Sequence, residues 1–155
     1  MHADAPAKIN LGLHVLRRRA DGFHDVETVL VPIGWADGLT ARPAPGLRFT
    51  CSDPALPTDD GNLVVRAARA LAGWAGVAPA AALHLAKRVP YGAGLGSGSS
   101  DAAHTLRLLA RLWGLDVPAD ALHGLAAGLG SDVPFFLGDG PALATGRGEV
   151  LTPLR

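Results

Sequence analysis

The first clear pattern along the chain is an alternation of apolar and polar residues near the N-terminus. Between residues 8 and 16, Ile9, Leu11, Leu13 and Val15 alternate with Asn10, Gly12 and His14. A strand places successive side chains on opposite faces of its sheet, so this period of two predicts a half-buried β-strand. The Asp21-Gly22 pair that follows is a turn signal, which indicates that the chain reverses there.

The rest of the chain contains both β-rich and helical segments. Alternating or β-branched stretches predict further strands at residues 23–33, 39–41, 47–51, 82–89 and 133–137 and within 142–151, with breaks at Asp37-Gly38 and 43–46. Helical spacing of apolar residues follows Asn62, recurs in 102–113, and follows Pro118. Strands that flank a block of helices, rather than alternating with them, predict an α+β fold.

Composition narrows the class of protein. A chain of 155 residues is long enough for one domain with its own core. Its 14 basic and 14 acidic residues cancel, which disfavours partners such as nucleic acid or an anionic membrane. We find neither an apolar run of ~18 residues that would span a membrane nor a signal peptide. A single cysteine, Cys51, cannot form an internal disulfide, so we expect a cytoplasmic protein.

The strongest sign of chemistry is a glycine-rich segment between a predicted strand and a predicted helix. Glycine occupies every second position from Gly92 to Gly98. Glycine permits left-handed backbone, so successive N–H groups can point at one anion, and a helix N-terminus adds free donors and a positive dipole end. We therefore predict a phosphate-binding loop made of Pro90, Tyr91, Gly92, Ala93, Gly94, Leu95, Gly96, Ser97, Gly98, Ser99 and Ser100.

Spacing excludes two familiar loops of this kind. A P-loop requires a lysine directly after its last glycine, and none follows here. A dinucleotide-binding fingerprint requires a third glycine where this chain has Ser97 or Asp101. A flexible Gly/Ser surface loop stays open as the alternative interpretation.

The segment from Pro90 to Ala103 resembles the phosphate-binding motif of the GHMP kinases, which include galactokinase and homoserine, mevalonate and phosphomevalonate kinases. Blocks at residues 5–11, 19–24, 62–67 and 130–135 resemble, in order, those of one member that acts on a small alcohol linked to cytidine diphosphate. The resemblance implies a ribosomal protein S5 domain 2-like fold, the family's N-terminal ATP-binding domain over residues 1–155, and phosphorylation of a small molecule by ATP with Mg²⁺.

The resemblance also implies two catalytic residues. Asp132 corresponds to the base that faces the substrate hydroxyl, where it also binds substrate, and Lys8 corresponds to the lysine paired with it. A carboxylate within reach of a hydroxyl can orient it and take its proton, and a nearby ammonium stabilises developing negative charge. From the residues alone, Asp132 is equally compatible with a turn or cap, and Lys8 with an ordinary solvated lysine.

Five further positions correspond to ligand-binding residues of that family. Asn62 and Lys87 match positions near the nucleotide base. Asn10, Phe23 and His24 match the substrate-binding group, the last two at the cytosine. Phe23 stands where tyrosine is usual, so it keeps the stacking face and loses the hydroxyl. The resemblance assigns no residue as a metal ligand, and His24 on its own is also compatible with a buried hydrogen-bonding role.

Length is the main departure from the family pattern, which normally includes a second, C-terminal domain of similar size. We expect that domain to be absent here, so that catalysis by this chain alone is incomplete and the uncovered apolar surface promotes self-association. Two other functions stay open: a truncated nucleotide-binding module without turnover, and a GHMP kinase for another small alcohol. RNA binding is disfavoured by the neutral charge.

Overall fold

A computed structural model describes residues 1–154 of the chain. Six strands form one sheet, accompanied by three α-helices and a short 3₁₀ helix. The elements in chain order are β1 (His2–Arg18), β2 (His24–Arg42), β3 (Arg48–Cys51), α1 (Leu63–Ala75), β4 (Ala82–Ala86), α2 (Ser97–Leu112), α3 (Ala119–Leu129), the 3₁₀ helix (Pro134–Leu137), β5 (Ala142–Thr145) and β6 (Val150–Pro153). The predicted α+β class is confirmed.

Strand β2 is the element on which the sheet is assembled. The sheet order is β3-β4-β2-β5-β6, and β1 pairs with β2 as a long antiparallel ribbon. Strands β4 and β5 pair with separate parts of β2, residues 38–42 and 28–30. All pairings are antiparallel except that of β3 with β4. The core lies between this sheet and the helices, where Leu39, Leu71 and Leu106 have no exposed surface.

The structure corrects three of the strand predictions. Strand β1 begins at His2 rather than at residue 8, and the Asp37-Gly38 pair does not interrupt β2. Asp37 is fully buried and hydrogen-bonded, so a residue pair typical of turns lies inside a strand. The strand predicted at 133–137 is wrong: Val133, Pro134, Phe135 and Phe136 are buried consecutively around a 3₁₀ helix, which alternation cannot produce.

The apolar face predicted to be half-buried on β1 is instead exposed. Leu11, Leu13 and Val15 are 55%, 59% and 59% exposed, although they alternate as a buried strand would. They belong to the outer ribbon, defined here as residues 11–26, on which no helix packs. No helix within residues 1–154 combines the length and the apolar character required to cross a membrane.

Candidate active site

The glycine-rich segment connects β4 to α2 and adopts an unusual backbone. Gly92, Gly94 and Gly96 have φ values of +74°, +75° and +66°, so left-handed residues occur at every second position. Residues with side chains rarely adopt this conformation, which explains the glycine spacing in the sequence. Alternating left-handed residues turn successive N–H groups towards one side of the chain, and such a concave array binds anions.

The N–H groups of this loop are available to a ligand. Within residues 1–154, no protein acceptor is hydrogen-bonded to the backbone N–H groups of residues 91–99. Helix α2 starts at Ser97, and its first backbone bond is donated by the N–H of Ser100 to the carbonyl of Gly96. Because Gly96 is the N-cap and provides no side chain, the helix N-terminus is left open to an anion.

The serines of the loop differ in accessibility. Ser97 and Ser100 are 4% and 0% exposed, and Ser99 is half-buried. The Ser100 carbonyl lies 2.8 Å from Nδ1 of His104, inside the helix layer. Helix α2 begins at Ser97, whereas the apolar spacing in the sequence indicated a helix from residue 102. Recognition of an anion here therefore depends mainly on backbone N–H groups rather than on the Ser97 and Ser100 hydroxyls.

The two residues predicted to be catalytic meet beside this loop. The Lys8 ammonium lies 3.6 Å from Oδ2 of Asp132, and the two side chains are 7% and 39% exposed. Lys8 lies on β1, whereas Asp132 lies in the turn between α3 and the 3₁₀ helix. The buried 3₁₀ segment, anchored by Phe135 and Phe136, holds that turn against the core. A buried ammonium thus faces a carboxylate that solvent or a ligand can reach.

A network extends from this ion pair along the sheet. Lys8 Nζ donates to Oδ1 of Asn10 at 2.6 Å, and Nδ2 of Asn10 donates to Oγ1 of Thr28 at 3.0 Å. Thr28, 5% exposed, is a member that the sequence did not indicate. If β1 and β2 paired without interruption from the Arg18–His24 pair of the hairpin, Asn10 would lie opposite residue 32. Register shifts in β1 place it opposite residue 30 instead, near Thr28.

The loop and the ion pair touch one another through Gly96. The Lys8 N–H donates to the carbonyl of Leu95 at 2.9 Å. A Cβ at Gly96 would lie 3.0 Å from both Cε of Lys8 and Cζ of Phe136. Glycine is therefore required at this position both for the left-handed backbone and for the close approach of the Lys8 side chain.

The residues predicted near the nucleotide base line a cavity of about 260 Å³ beside the loop, together with Tyr91 and Gly98. Asn62 caps α1: its Oδ1 accepts from the N–H of Val64, and its Nδ2 donates to the carbonyl of Pro57. The Lys87 ammonium is 5% exposed and is held by two carboxylates. Both side chains border the cavity, yet their polar groups are already engaged within the protein.

A buried cluster of one lysine and two aspartates joins the two ends of the loop. Lys87 Nζ donates to Asp37 at 2.6 Å and to Asp101 at 3.0 Å. The other oxygen of Asp37 accepts the N–H groups of Arg88 and Val89, just before the loop. Asp101 lies in α2, just after the loop, so the cluster restrains the loop from both sides.

The charges in this cluster do not balance, and Asp101 shows the effect. Burial raises the pKa of Asp101 to about 7, and the nearby Asp37 carboxylate adds to the rise while Lys87 opposes it. Burial lowers the pKa of Lys87, but the two carboxylates outweigh it and the net shift is upward. Within residues 1–154, Oδ1 of Asp101 is a buried oxygen without a hydrogen-bond partner.

The predicted cytosine-binding residues lie far from the ion pair. Asn10 lies opposite Leu30, and Arg18 at the ribbon tip lies opposite His24. Asn10 and the tip are therefore six residues apart along β2. At ~3.3 Å per residue the separation is about 20 Å. Phe23, 55% exposed, and His24, also exposed, stand at the tip of the outer ribbon. The structure thus unites Lys8, Asn10 and Asp132, and leaves Phe23 and His24 as a second centre.

Metal-binding side chains are scarce around the loop. Residues 1–154 contain no group of three or more His, Cys, Asp or Glu side chains arranged to hold an ion.

The matched family agrees with this geometry. Residues 62–140, which include the loop and Asp132, match the family described as GHMP kinases N terminal domain. The chain belongs to the GHMP kinase family.

Relatives within the GHMP kinases point to one member. The chain is 65% identical over 152 residues to 4-diphosphocytidyl-2-C-methyl-D-erythritol kinase of Salinibacter ruber, covering 97% of this chain and 54% of that protein. It is 56% identical over 149 residues to the kinase of the same name from Chlorobium phaeobacteroides, covering 96% and 52%. The chain therefore spans about half the length of the curated relatives it matches.

Solved structures give the same result for this GHMP kinase fold. A crystal structure of 4-(cytidine 5'-diphospho)-2C-methyl-D-erythritol kinase superposes with a TM-score of 0.88 at 45% identity, covering 99% of this chain and 55% of that one. The mevalonate kinase of Methanococcus jannaschii has a TM-score of 0.77 at 11% identity, covering 100% of this chain and 56% of that one, and shows a shared fold only. The predicted fold is confirmed as that of a GHMP kinase N-terminal domain.

Gly96→Ala tests whether close packing against Lys8 holds the loop. We expect the free energy of unfolding to fall by about 1–3 kcal/mol more than in Gly92→Ala, since overpacking has costs of that size. The control shares the left-handed φ but has nothing within 4 Å of the added Cβ. Urea unfolding of both variants decides the point, and equal losses would show that backbone strain is the whole effect.

Asp101→Asn tests the unbalanced cluster through pH. Because the folded-state pKa of about 7 exceeds the ordinary 3.8, the unfolded chain loses this proton first. The wild-type free energy of unfolding therefore falls as pH rises from about 4 to about 7, by on the order of a few kcal/mol. Asparagine cannot ionise, so we expect the Asp101→Asn protein to become more stable relative to wild type as the pH rises over that range. Urea midpoints at pH 5 and pH 8 measure this, and a pH-independent difference contradicts the assignment.

Proposed function

We propose that this chain is the ATP-binding half of a kinase that phosphorylates the 2-hydroxyl of 4-diphosphocytidyl-2-C-methyl-D-erythritol, in the non-mevalonate route to isoprenoids. The observation that carries the proposal is the contact between the Lys8–Asp132 ion pair and a loop whose N–H groups are free. The names of the relatives support the choice of substrate.

The loop is the binding site for the phosphates of ATP in this proposal. Free N–H groups of residues 91–99 and the open N-terminus of α2 bind negative charge without any lysine in the loop. The adjacent cavity of about 260 Å³ receives the nucleoside, bordered by Asn62, Tyr91 and Leu63. When bound, Mg²⁺ neutralises the phosphates and comes with them, in keeping with the scarcity of clustered protein ligands.

Asp132 and Lys8 perform the chemistry of transfer. The hydroxyl oxygen of the substrate forms a bond to the γ-phosphorus as the bond from that phosphorus to the ADP oxygen breaks, and the hydroxyl proton passes to the Asp132 carboxylate. The Lys8 ammonium, 3.6 Å from that carboxylate, stabilises negative charge on the transferring group. Asn10 and Thr28 hold Lys8 in place through successive hydrogen bonds.

The outer ribbon provides the distant end of the substrate site. A substrate that carries a cytidine diphosphate is long, which matches two centres about 20 Å apart along β2. Phe23 offers an exposed ring on which a base can stack, with His24 adjacent. Stacking on aromatic rings is a general mode of base recognition.

A second candidate is a nucleotide-binding module without turnover. The observation behind it is that the loop and the adjacent cavity can hold a nucleotide whether or not transfer occurs. The exposed apolar residues of the outer ribbon fit the prediction of self-association, because such surface is available to a partner. The two candidates share the loop and differ in whether phosphoryl transfer occurs.

Hydrogen exchange tests the loop assignment, which both candidates require. We expect ATP with Mg²⁺ to slow exchange of the amides of residues 91–99, because these free N–H groups become bound to phosphate. AMP is the matched control: it can fill the cavity but lacks the β- and γ-phosphates, so the loop should remain unprotected. Unchanged exchange at saturating ATP would refute the phosphate site.

Turnover tests which candidate holds. We expect this chain alone to transfer phosphate to the cytidine substrate at least 100-fold more slowly than the Salinibacter ruber kinase, because poorly positioned reactants lose large factors in rate. Any residual transfer should fall by about 10²–10⁴ in Asp132→Asn, which keeps the shape and removes the base. Complete absence of transfer at saturating substrates indicates the non-catalytic module. Turnover within tenfold of the relative would contradict our expectation that this half is insufficient.

A further inference from the structure

The turn between β5 and β6 is built to hold one arginine in place. Gly146 and Gly148 have φ values of +69° and +103°, and the N–H of Gly148 donates to the carbonyl of Thr145 at 3.0 Å. The N–H of Arg147 donates to Oε2 of Glu149 at 2.6 Å. A Cβ at Gly146 would lie 3.2 Å from both carboxylate oxygens of Glu149, so this tight turn requires glycine.

This turn is attached to the outer ribbon next to its tip. The N–H of Val26 donates to the carbonyl of Gly146 at 2.7 Å. The Arg147 guanidinium carbon consequently lies 5.0 Å from the centre of the Phe23 ring, in a cation–π arrangement. Phe23 is still 55% exposed, so a large part of its ring surface stays available to a ligand.

Arg147 differs from Arg17 and Arg19 at the ribbon tip in how firmly its charge is paired. Arg17 donates to Asp25 at 2.5 Å, and Arg19 donates to Asp21 and Asp25 at 3.0 and 2.8 Å. Within residues 1–154, the guanidinium of Arg147 has one carboxylate within 4 Å, that of Glu149 at 3.7 Å, which is beyond hydrogen-bond distance. Its N–H donors therefore remain available, directly beside an exposed aromatic ring.

We propose that Arg147 binds the diphosphate of the cytidine-linked substrate, so that Phe23 and Arg147 together recognise a base and the phosphates attached to it. A base stacked on Phe23 places its phosphates within one nucleoside length of the ring, where the guanidinium lies. The planar guanidinium suits phosphate oxygens because it can donate two parallel hydrogen bonds. The inference rests on the proposed function only in requiring a base at Phe23.

The test uses CDP and cytidine as probes, titrated into this chain with the loop saturated by a non-hydrolysable ATP analogue. Arg147→Met removes the charge and keeps a flexible chain that can still cover the ring. We expect the affinity for CDP to fall about tenfold or more, while that for cytidine changes less than twofold. Added salt should weaken CDP binding to wild type much more than to this variant.

Arg18→Met is the matched control. Arg18 is exposed and lies on the same ribbon tip, opposite His24. It forms no ion pair within residues 1–154. The change in net charge is identical, so we expect CDP affinity to fall less than threefold. Arg147→Lys should recover part of the loss, because it restores the charge without the planar donors.

Four outcomes overturn the inference. An unchanged preference for CDP over cytidine in Arg147→Met refutes it, as does an equal loss in Arg18→Met. If Phe23→Ala weakens both probes while Arg147→Met weakens neither, the cytidine site stands and Arg147 is not part of it. If wild type binds neither probe, both the cytidine assignment and this inference fail.

Discussion

The contact between the Lys8 side chain and the glycine-rich loop is the constraint on which the rest of the site depends. It requires a residue without a side chain at Gly96, because Lys8 and Phe136 already occupy the space. It also places the buried ammonium between the anion-binding loop and Asp132. A charge buried to this extent is tolerable only with polar partners, which Asn10 and Asp132 supply. One contact therefore couples the loop that we propose binds phosphate to the ion pair that we propose is catalytic.

The loop can leave its N–H groups free because its ends are held by other means. Asp37 accepts two N–H groups at the entry to the loop, and Lys87 links that point to Asp101 in α2. Unpaired N–H groups in a buried segment would destabilise the fold, whereas at a ligand site they become satisfied on binding. The cluster has a cost of its own, visible in the raised pKa of Asp101. The glycine-rich loop is thus restrained by one buried lysine and two buried aspartates whose charges do not balance.

The outer ribbon differs from the core because its apolar side chains are exposed. Leu11, Leu13 and Val15 alternate as a buried strand would, yet they lie in solvent because no helix within residues 1–154 covers them. The tip of the ribbon lies about 20 Å from Asn10 and carries Phe23, against which Arg147 of the β5–β6 turn packs. Relatives about twice as long have further residues with which such a face can pack.

Local features of the sequence determined the elements that depend on local physics. The glycine spacing indicated a loop with left-handed backbone, since that conformation is a property of single residues, and Asn62 marked a helix start by its own capping bond. Tertiary structure alone decided what depends on partners. Asp37 lies within a strand because a distant lysine and two N–H groups satisfy it. Thr28 joins the site because register shifts move it beside Asn10. Burial and strand register depend on which surfaces pack together in the fold. A periodic pattern in the sequence indicates only which face of an element could be buried.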